Sequence, residues 1–267
     1  MNNLQVETGP DGVCRITLDR PEAKHALTVA MRDGIVDTIR AARADPNVRA
    51  LLIRATGDAF CAGMDLSAST VAQAGQAGFD PRTTAEALRV GVQTFIRELW
   101  ELDKPTIAAV HGAAVGPGAH LALACDFVLV APETKFIWSF HKWGLVVDAG
   151  GAYLLPRLVG LPRAKAMVML GESCAGIDAV QTGLAYQCLP NRETLAAAAD
   201  ALAVRLAAGP TRAFGLSKRL LNASFETDLA ASLELEGAYQ SLATASADLV
   251  EGMAAFREKR DAQFEGR

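Results

Sequence analysis

The sequence predicts an α/β fold in which parallel strands are joined by helical crossovers. Short apolar runs occur at residues 48–55 and 126–130, and such runs are typical of strands covered on both faces. Longer segments with a helical spacing of apolar residues lie between them. At residues 106–125 a short apolar strand, a glycine turn and a helical segment follow one another directly. This alternation indicates an α/β architecture.

The composition narrows the class of protein. The chain has 267 residues, 51% hydrophobic and 21% charged, which suits one large domain or a domain with an appendage. A net charge of −4 and the absence of long runs of like charge argue against a nucleic-acid partner. No apolar stretch predicts a membrane span or a signal segment. The five scattered cysteines form no C-x-x-C pair, so we expect a cytoplasmic protein without zinc or disulfides.

Strands and helices alternate through the first half of the chain. Apolar residues alternate with polar ones at residues 14–18 and predict a half-buried strand. Thr28 is placed to cap an amphipathic helix that runs to about residue 44, and residues 48–55 form the next strand. Residues 67–83 are rich in Ala, Gly, Ser and Gln and predict a mobile loop or frayed helix. Residues 84–102 predict one helix whose apolar stripe packs in the core.

The second half changes character towards its end. A predicted strand at residues 106–110 leads into the glycine turn, and an aromatic segment follows at residues 136–143. Short apolar helices are predicted at residues 153–159 and 162–170. Long Ala- and Leu-rich helical patterns run from about residue 192 to the end. We therefore predict an α/β core at residues 1–191 and a helical C-terminal region at residues 192–267.

The glycine turn at residues 114–120, AVGPGAH, is a candidate functional feature. Glycine permits positive φ and close approach of another molecule to the backbone. A helix that begins at such a turn directs unpaired N–H groups outward, and these can stabilise a developing negative charge. A purely structural turn is an equally open interpretation. Pro117 stands in the middle of the turn and has no N–H to donate.

Seven short motifs extend this observation along the chain. They lie at residues 20–27, 59–66, 104–112, 124–126, 144–151, 155–160 and 251–260. Their order and spacing are similar to those of the enoyl-CoA hydratase/isomerase, or crotonase, superfamily, and the resemblance covers nearly the whole chain. It implies a crotonase-like spiral of ββα units, followed by a helical trimerisation region at residues 192–267.

The resemblance also implies partners and chemistry. Members of the family bind acyl-CoA thioesters and form homotrimers or hexamers built as dimers of trimers. No metal and no cofactor is implied, apart from coenzyme A as part of the substrate. We therefore expect an acyl-CoA partner, with neither nucleic acid nor membrane.

An oxyanion hole is the central expectation. Thioester chemistry of this kind places negative charge on the carbonyl oxygen, which requires preorganised hydrogen-bond donors. By resemblance, the first donor is the backbone N–H of Met64, and the second position falls on Pro117. Because Pro117 cannot donate, we expect the next N–H, that of Gly118, to take over. A bridging water, or a protein with little catalysis, are the alternatives.

The acid–base residues separate the reactions of the family. Hydratases carry two glutamates, and here those positions are His120 and Phe140, so an efficient hydratase is not expected. Asp148 lies where isomerase-type members, including the ring-opening epoxide isomerase of phenylacetate breakdown, place one catalytic carboxylate. An alternative role for Asp148 is to cap the helix that starts near residue 150. His120 is a candidate for a supporting acid–base role or for a buried hydrogen-bonding role.

Candidate substrate contacts complete the site. The resemblance places coenzyme A against the backbone of two loops, the glycine turn, the aromatic segment and the C-terminal tail. The residues concerned are Lys24, Ala26, Leu27, Ala62, Asp65, Leu66, Gly116, Phe140, Phe256 and Lys259. Lys24 and Lys259 could equally be solvated surface charges. The aromatic residues Phe136, Trp138, Phe140 and Trp143 are candidates to line an acyl pocket or to form ordinary core.

Three functions follow from these residues. The leading one is an acyl-CoA isomerase that shifts a double bond by proton transfer through Asp148. The second is a hydrolase of a thioester or carbon–carbon bond, with His120 assisting water. The third is a CoA-thioester-binding protein with little catalysis, as the missing donor at Pro117 would suggest.

Overall fold

A computed structural model of the protein describes residues 3–65, 67, 76, 77 and 79–267. The loop or frayed helix predicted at residues 67–83 lies largely outside the described residues, and so does Leu66.

A six-stranded sheet forms the centre of the described structure, in the order β1-β2-β3-β4-β6-β9. Strand β1 pairs antiparallel to β2, and the remaining pairs are parallel, as the predicted crossovers require. A smaller sheet has the order β5-β7-β8. The strands are β1 Leu4–Thr8, β2 Val13–Leu18, β3 Ala50–Ala55, β4 Thr106–Val110, β5 Ala113–Val115, β6 Phe127–Val130, β7 Lys135–Ile137, β8 Cys174–Ala175 and β9 Gln187–Cys188.

Helices cover both faces of the large sheet and continue beyond it. They are α1 Val29–Ala44, α2 Arg82–Val90, α3 Val92–Trp100, α4 Pro117–Leu123, α5 Gly151–Val159, α6 Leu161–Lys165, α7 Gly176–Thr182, α8 Arg192–Ala207, α9 Thr211–Ala223, α10 Leu229–Thr244 and α11 Ala247–Glu258. Short 3-10 turns occur at Pro21–Ala23 and Phe140–Trp143, and a π turn occurs at Ala166–Leu170. Among the described residues, no helix is both long and apolar enough to cross a bilayer.

Two helix boundaries show how local chemistry acts. The Thr28 hydroxyl accepts a hydrogen bond from the Met31 N–H at 3.2 Å, so the predicted cap of α1 is confirmed. The single helix predicted over residues 84–102 is wrong, because the chain breaks at Gly91 into α2 and α3. A Cβ on Gly91 would lie 2.3 Å from the Ala87 carbonyl oxygen, so this break admits only glycine.

The core has two layers, one on each face of the large sheet. Helices α1, α3, α4 and α5 pack on one face. Helix α8 covers the other, where Leu195, Ala199 and Ala203 repeat every fourth residue against Leu52 and Ile107. The cover of the core thus extends through the first helix of the region predicted at residues 192–267.

Helix α9 is tied to the core by a buried charge. The Lys218 ammonium donates to the Leu99 carbonyl at 3.1 Å and to the Asp126 carboxylate at 2.9 Å. The 16-residue helix α10, in contrast, contains no buried residue. The C-terminal region is therefore anchored to the core through α8 and α9, whereas α10 is exposed along its whole length.

Candidate active site

A cavity of about 570 Å³ opens beside the small sheet. Its described walls come from the start of α1, residues 62–65, α2 and α3, the glycine turn and residues 139–148. The lining is largely apolar, as in most small-molecule sites. Its charged side chains among the described residues are Arg32, Asp65 and Asp148.

Met64 lies on the cavity wall. The neighbouring backbone groups are paired, because the Leu27 N–H donates to the Gly63 carbonyl at 2.7 Å and the Asp65 N–H donates to the Leu27 carbonyl at 3.0 Å. Within the described residues, the Met64 N–H has no acceptor. A backbone N–H with no acceptor beside an apolar cavity is suited to bind an anionic oxygen.

The glycine turn leads from β5 into α4. Gly116 adopts φ +48°, and its N–H donates to the Ile137 carbonyl at 2.9 Å. A Cβ at this position would lie 3.3 Å from the Phe140 ring, so glycine also lets the aromatic wall approach. Pro117 is the first residue of α4 and lines the cavity, where its missing N–H costs the helix nothing.

Gly118 is needed for packing. A Cβ there would lie 2.6 Å from the Cys61 carbonyl oxygen, which only glycine avoids. Its N–H has no acceptor among the described residues, as expected in the first turn of a helix. Gly118 itself is buried and does not belong to the described lining of the cavity.

Asp148 lies on the cavity wall in a strained turn. Its carbonyl accepts from the Gly151 N–H at 2.9 Å, while Ala149 and Gly150 adopt φ of +45° and +76°. The Oδ1 atom is buried without a hydrogen-bond partner, and burial raises the pKa of Asp148 to about 6. Helix α5 has Gly150 at its N-cap and no side-chain cap, so the capping role proposed as an alternative for Asp148 is wrong.

Asp65 shows the opposite environment in the same cavity. Its carboxylate accepts from the Ser67 hydroxyl at 2.6 Å and pairs with Arg20 at 2.8 Å. The hydrogen bonds from Ser67 and then Arg20 lower the pKa of Asp65 to about 2. Asp65 is thus held as an ion by its partners, whereas Asp148 is unpaired and has a pKa of about 6.

His120 lies in the core next to the cavity. The Trp138 indole N–H donates to its Nε2 at 3.0 Å, and the Phe140 ring stacks on the imidazole at a centroid distance of 6.1 Å. Burial lowers the pKa of His120 to about 4, although the backbone of Asp148 acts in the opposite direction. The ring is fully buried and absent from the described lining, an environment that favours a neutral hydrogen-bonding imidazole.

The predicted substrate contacts divide into two groups. Leu27, Ala62, Asp65, Gly116 and Phe140 line the cavity. Ala26 lies beside it in the Lys24 loop. Lys24 is exposed at φ +48°, and its carbonyl accepts from the Ala62 N–H at 2.9 Å. Leu66 lies outside the described residues.

The tail contacts are separate from this cavity in a single chain. Phe256 and Lys259 lie at the end of α11, Phe256 is 83% exposed, and neither belongs to the described lining.

The aromatic set divides in the same way. Phe140 and Trp143 line the cavity, whereas Phe136 and Trp138 are fully buried. Leu88 and Val92 pack in or against the core, as the stripe predicts, but they also form a cavity wall that sequence reasoning missed. The available signal in the sequence was Gly91, which lies between the two residues and allows two short helices in place of one.

Comparisons with known proteins show the family of the chain and its fold. Residues 8–267 match the family model described as enoyl-CoA hydratase/isomerase. The 1,2-epoxyphenylacetyl-CoA isomerase of Escherichia coli K12 is 39% identical over 260 residues, or 96% of each chain. The 2,3-dehydroadipyl-CoA hydratase of the same organism is 35% identical over 255 residues, again 96% of each chain.

A solved structure extends the likeness to the fold. The enoyl-CoA hydratase of Bacillus anthracis superposes with a TM-score of 0.90 at 28% identity over 100% of each chain. The crotonase-like α/β fold implied by the motifs is thereby confirmed. With a family model matching nearly its whole length, the chain belongs to the enoyl-CoA hydratase/isomerase family.

Proposed function

We propose that this protein isomerises an enoyl-CoA by moving a proton from one carbon to another through Asp148. The observation that carries the proposal is the Asp148 carboxyl itself, which lies on the cavity wall without a partner and has a pKa raised to about 6. A carboxyl group with a pKa near the working pH is suited both to accept and to return a proton. Asp65 is bound to Arg20 and Ser67, which disfavours it for that work.

The step conserves atoms and charge. The ionised Asp148 removes a proton from a carbon whose resulting carbanion is conjugated with the thioester carbonyl. A C–H bond breaks, and an O–H bond forms on the carboxyl. The electron pair moves into the conjugated system and places negative charge on the thioester oxygen. The Met64 N–H stabilises that charge, with Gly118 as the proposed second donor. Asp148 then returns the proton to a different carbon, and the double bond has moved.

The cavity also supports a division of binding roles. The backbone around Lys24, Ala26, Leu27, Ala62 and Leu66 would hold coenzyme A, and the apolar wall with Phe140 and Trp143 would hold the acyl group. Phe256 and Lys259 would reach the coenzyme only from a neighbouring subunit or after movement of the tail. Coenzyme A as part of the substrate is all that the proposed reaction requires.

A binding protein with little catalysis is the second candidate. Pro117 favours it, because the loss of one oxyanion donor typically costs about 2.7–4 kcal/mol of transition-state stabilisation. The hydrolase reading is weaker, since His120 is buried, neutral and bonded to Trp138.

We also propose a homotrimer, or a hexamer of two trimers, in the cytoplasm. The exposed C-terminal helices support the assembly, and the five free cysteines suit a reducing compartment.

Replacing Asp148 by Asn tests the function. A panel of acyl-CoAs is assayed for double-bond migration, hydration and release of coenzyme A, and the dissociation constant of a saturated acyl-CoA is measured alongside. We expect migration in the wild type, a loss of at least about 100-fold in Asp148→Asn, since one acid–base group contributes that much or more, and unchanged binding.

Asp178→Asn is the matched control, because Asp178 is an exposed carboxylate on α7 outside the described lining. Isomerase turnover that survives in Asp148→Asn would rule out the proposed mechanism. Binding without any turnover in the wild type would favour the binding protein.

A further inference from the structure

We propose that His120 is a positioning residue for Asp148: its Nδ1–H donates a hydrogen bond to the buried Oδ1 of that carboxylate when the carboxylate is ionised. For its kinetic consequence the proposal rests on the proposed role of Asp148 in catalysis. The hydrogen bond itself can be tested without turnover.

The first observation is a pair of complementary unpaired atoms. In the described part of the chain, three buried side-chain polar atoms have no hydrogen-bond partner, and two of them are His120 Nδ1 and Asp148 Oδ1. Leaving a buried polar group unpaired costs roughly 1–3 kcal/mol, and more for a charged one. Each unpaired atom is of the kind that the other requires. The Asp148 backbone, which acts to raise the pKa of His120, is a second acceptor beside the ring and places the two residues next to each other.

The second observation fixes which imidazole nitrogen carries the proton. An indole nitrogen can only donate, so His120 Nε2, which faces Trp138 Nε1 at 3.0 Å, must be the acceptor. A neutral imidazole carries one proton, which therefore resides on Nδ1. Trp138 thus sets the tautomer in which Nδ1 is a donor.

The third observation places the ring against the Asp148 turn. A Cβ on Gly151 would lie 2.3 Å from His120 Cε1, so the ring packs directly on the backbone three residues after Asp148. The carboxylate torsion of Asp is broad and roughly two-fold. A rotation of the carboxylate about the Cβ–Cγ bond, or a small shift of the turn, would bring Oδ1 onto Nδ1.

Charged groups on the surrounding elements are engaged elsewhere. On the cavity wall, Arg32 pairs with Asp33 at 2.7 Å, and Asp65 pairs with Arg20. The remaining groups belong to α3, α5 and the 3-10 turn. They are Glu98, bound by Arg40 and Arg43; Arg97 and Lys142, both exposed; His141, packed on Gly171; and Tyr153 with Arg157, stacked at 3.5 Å. Arg157 Nε is the third unpaired buried atom, but it lies in the last turn of α5, nine residues beyond Asp148.

This leaves His120 as the donor suited to Oδ1. A hydrogen bond to the ionised form lowers the pKa of a carboxyl group, so it would offset part of the burial penalty. It would also hold the second oxygen, Oδ2, in one orientation. His120 would then act through Asp148 without touching the substrate.

Nitrogen NMR of the full-length protein, labelled at its four histidines, tests the hydrogen bond directly. We expect His120 to stay neutral with its proton on Nδ1 between pH 8 and pH 5, and its Nδ1 signal to follow the ionisation of Asp148. The pH response should vanish in Asp148→Asn and persist in His141→Leu. A proton on Nε2, or an Nδ1 signal indifferent to Asp148, would overturn the proposal.

Isosteric variants test the kinetic consequence. The amide nitrogen of Asn is as many bonds from Cβ as Nδ1 of histidine, so Asn can replace the Nδ1 donor. The amide nitrogen of Gln is one bond further, at the distance of histidine Nε2. We expect the pKa that governs the acid limb of the kcat/KM pH profile to be unchanged in His120→Asn. In His120→Gln and His120→Leu it should rise by about one pH unit, because the stabilising donor is lost. Binding of a saturated acyl-CoA should be unchanged in all three.

The outcomes separate the two proposals. An acid limb that is the same in the Asn, Gln and Leu variants, or a better rescue by Gln than by Asn, would reduce His120 to a packing residue. A wild type without isomerase activity would defeat the proposed function, and the NMR titration would still decide whether the hydrogen bond forms. Because all variants change a buried residue, each is compared only where its melting temperature shows a folded protein.

Discussion

At the scale of single residues, two carboxylates in one cavity have opposite environments. Asp65 has a strong donor and a cation, and Asp148 has neither. Divergent pKa values of neighbouring acids are a physical signature of divided roles, one group holding charge and the other exchanging protons. The cost of keeping Asp148 unpaired falls on stability.

This cost predicts that replacing Asp148 by Asn raises the free energy of unfolding, and that the gain depends on pH. The pKa of Asp148 lies near 6 in the folded protein, above its ordinary value of 3.8, so the native state holds the proton more tightly than the unfolded state. The buried charge therefore lowers the free energy of unfolding of the wild type above pH 6, and this loss disappears as the pH falls towards 4. At about 1.36 kcal/mol per pKa unit, the penalty is at most about 3 kcal/mol, and partial exposure reduces it.

Urea unfolding of both proteins between pH 8 and pH 4 measures this difference. Asp148→Asn should be the more stable above pH 6, and its advantage should fade as the pH approaches 4. The exposed Asp178→Asn serves as control and should show no such trend. A constant difference, or one that grows on acidification, would show that Asp148 is not held with a raised pKa.

At the scale of elements, the first turn of α4 is where the structure bears most directly on catalysis. Pro117 suits the helix and deprives the cavity of a donor. We expect Pro117→Ala to restore that N–H and to raise kcat about 10- to 100-fold, somewhat less than the loss recorded for deleting such a donor. Steady-state kinetics on the best acyl-CoA of the panel measures the effect.

Pro162→Ala is the matched control, since Pro162 occupies the same first turn in α6, outside the described lining of the cavity. It should leave kcat unchanged. Unchanged or lower turnover in Pro117→Ala, with intact stability, would mean that the oxyanion does not lie opposite this position.

Elements also show what sequence can and cannot predict. Local pattern and motif predict the strands β2, β3, β4 and β6, the cap at Thr28 and the cavity position of Asp148. They do not predict the short strands β5, β7, β8 and β9, which depend on pairing with distant segments. The bond from Trp138 to His120 was not foreseen, since it requires the pairing of β5 with β7 to bring two distant segments together. The packing of α8 on the sheet could not be predicted either. Small residues spaced by four are compatible both with a separate helical region and with a helix that covers the sheet.

At the scale of the whole molecule, the C-terminal region carries large apolar side chains that the chain itself leaves uncovered, and α10 has no buried residue at all. Several large apolar side chains of this region are more than two-thirds exposed, namely Leu221, Phe225, Leu229, Val250 and Phe256. Burial of one such side chain is worth roughly 1.5–3 kcal/mol, so a surface of this kind favours association. A second copy of the chain, as in the proposed homotrimer, would supply the missing contacts of α10.

We therefore expect Leu221→Glu combined with Leu229→Glu to dissociate the assembly. Two buried charges without partners at each contact would cost more than the apolar contacts return. Light scattering coupled to gel filtration should give three or six times the chain mass of 28.1 kDa for the wild type and a single chain mass for the variant. Val6→Glu, on the half-exposed strand β1, should assemble like the wild type, because a charge on an edge strand is tolerated. A monomeric wild type would show that these helices remain uncovered, and Phe256 and Lys259 would then have no route to another subunit's coenzyme.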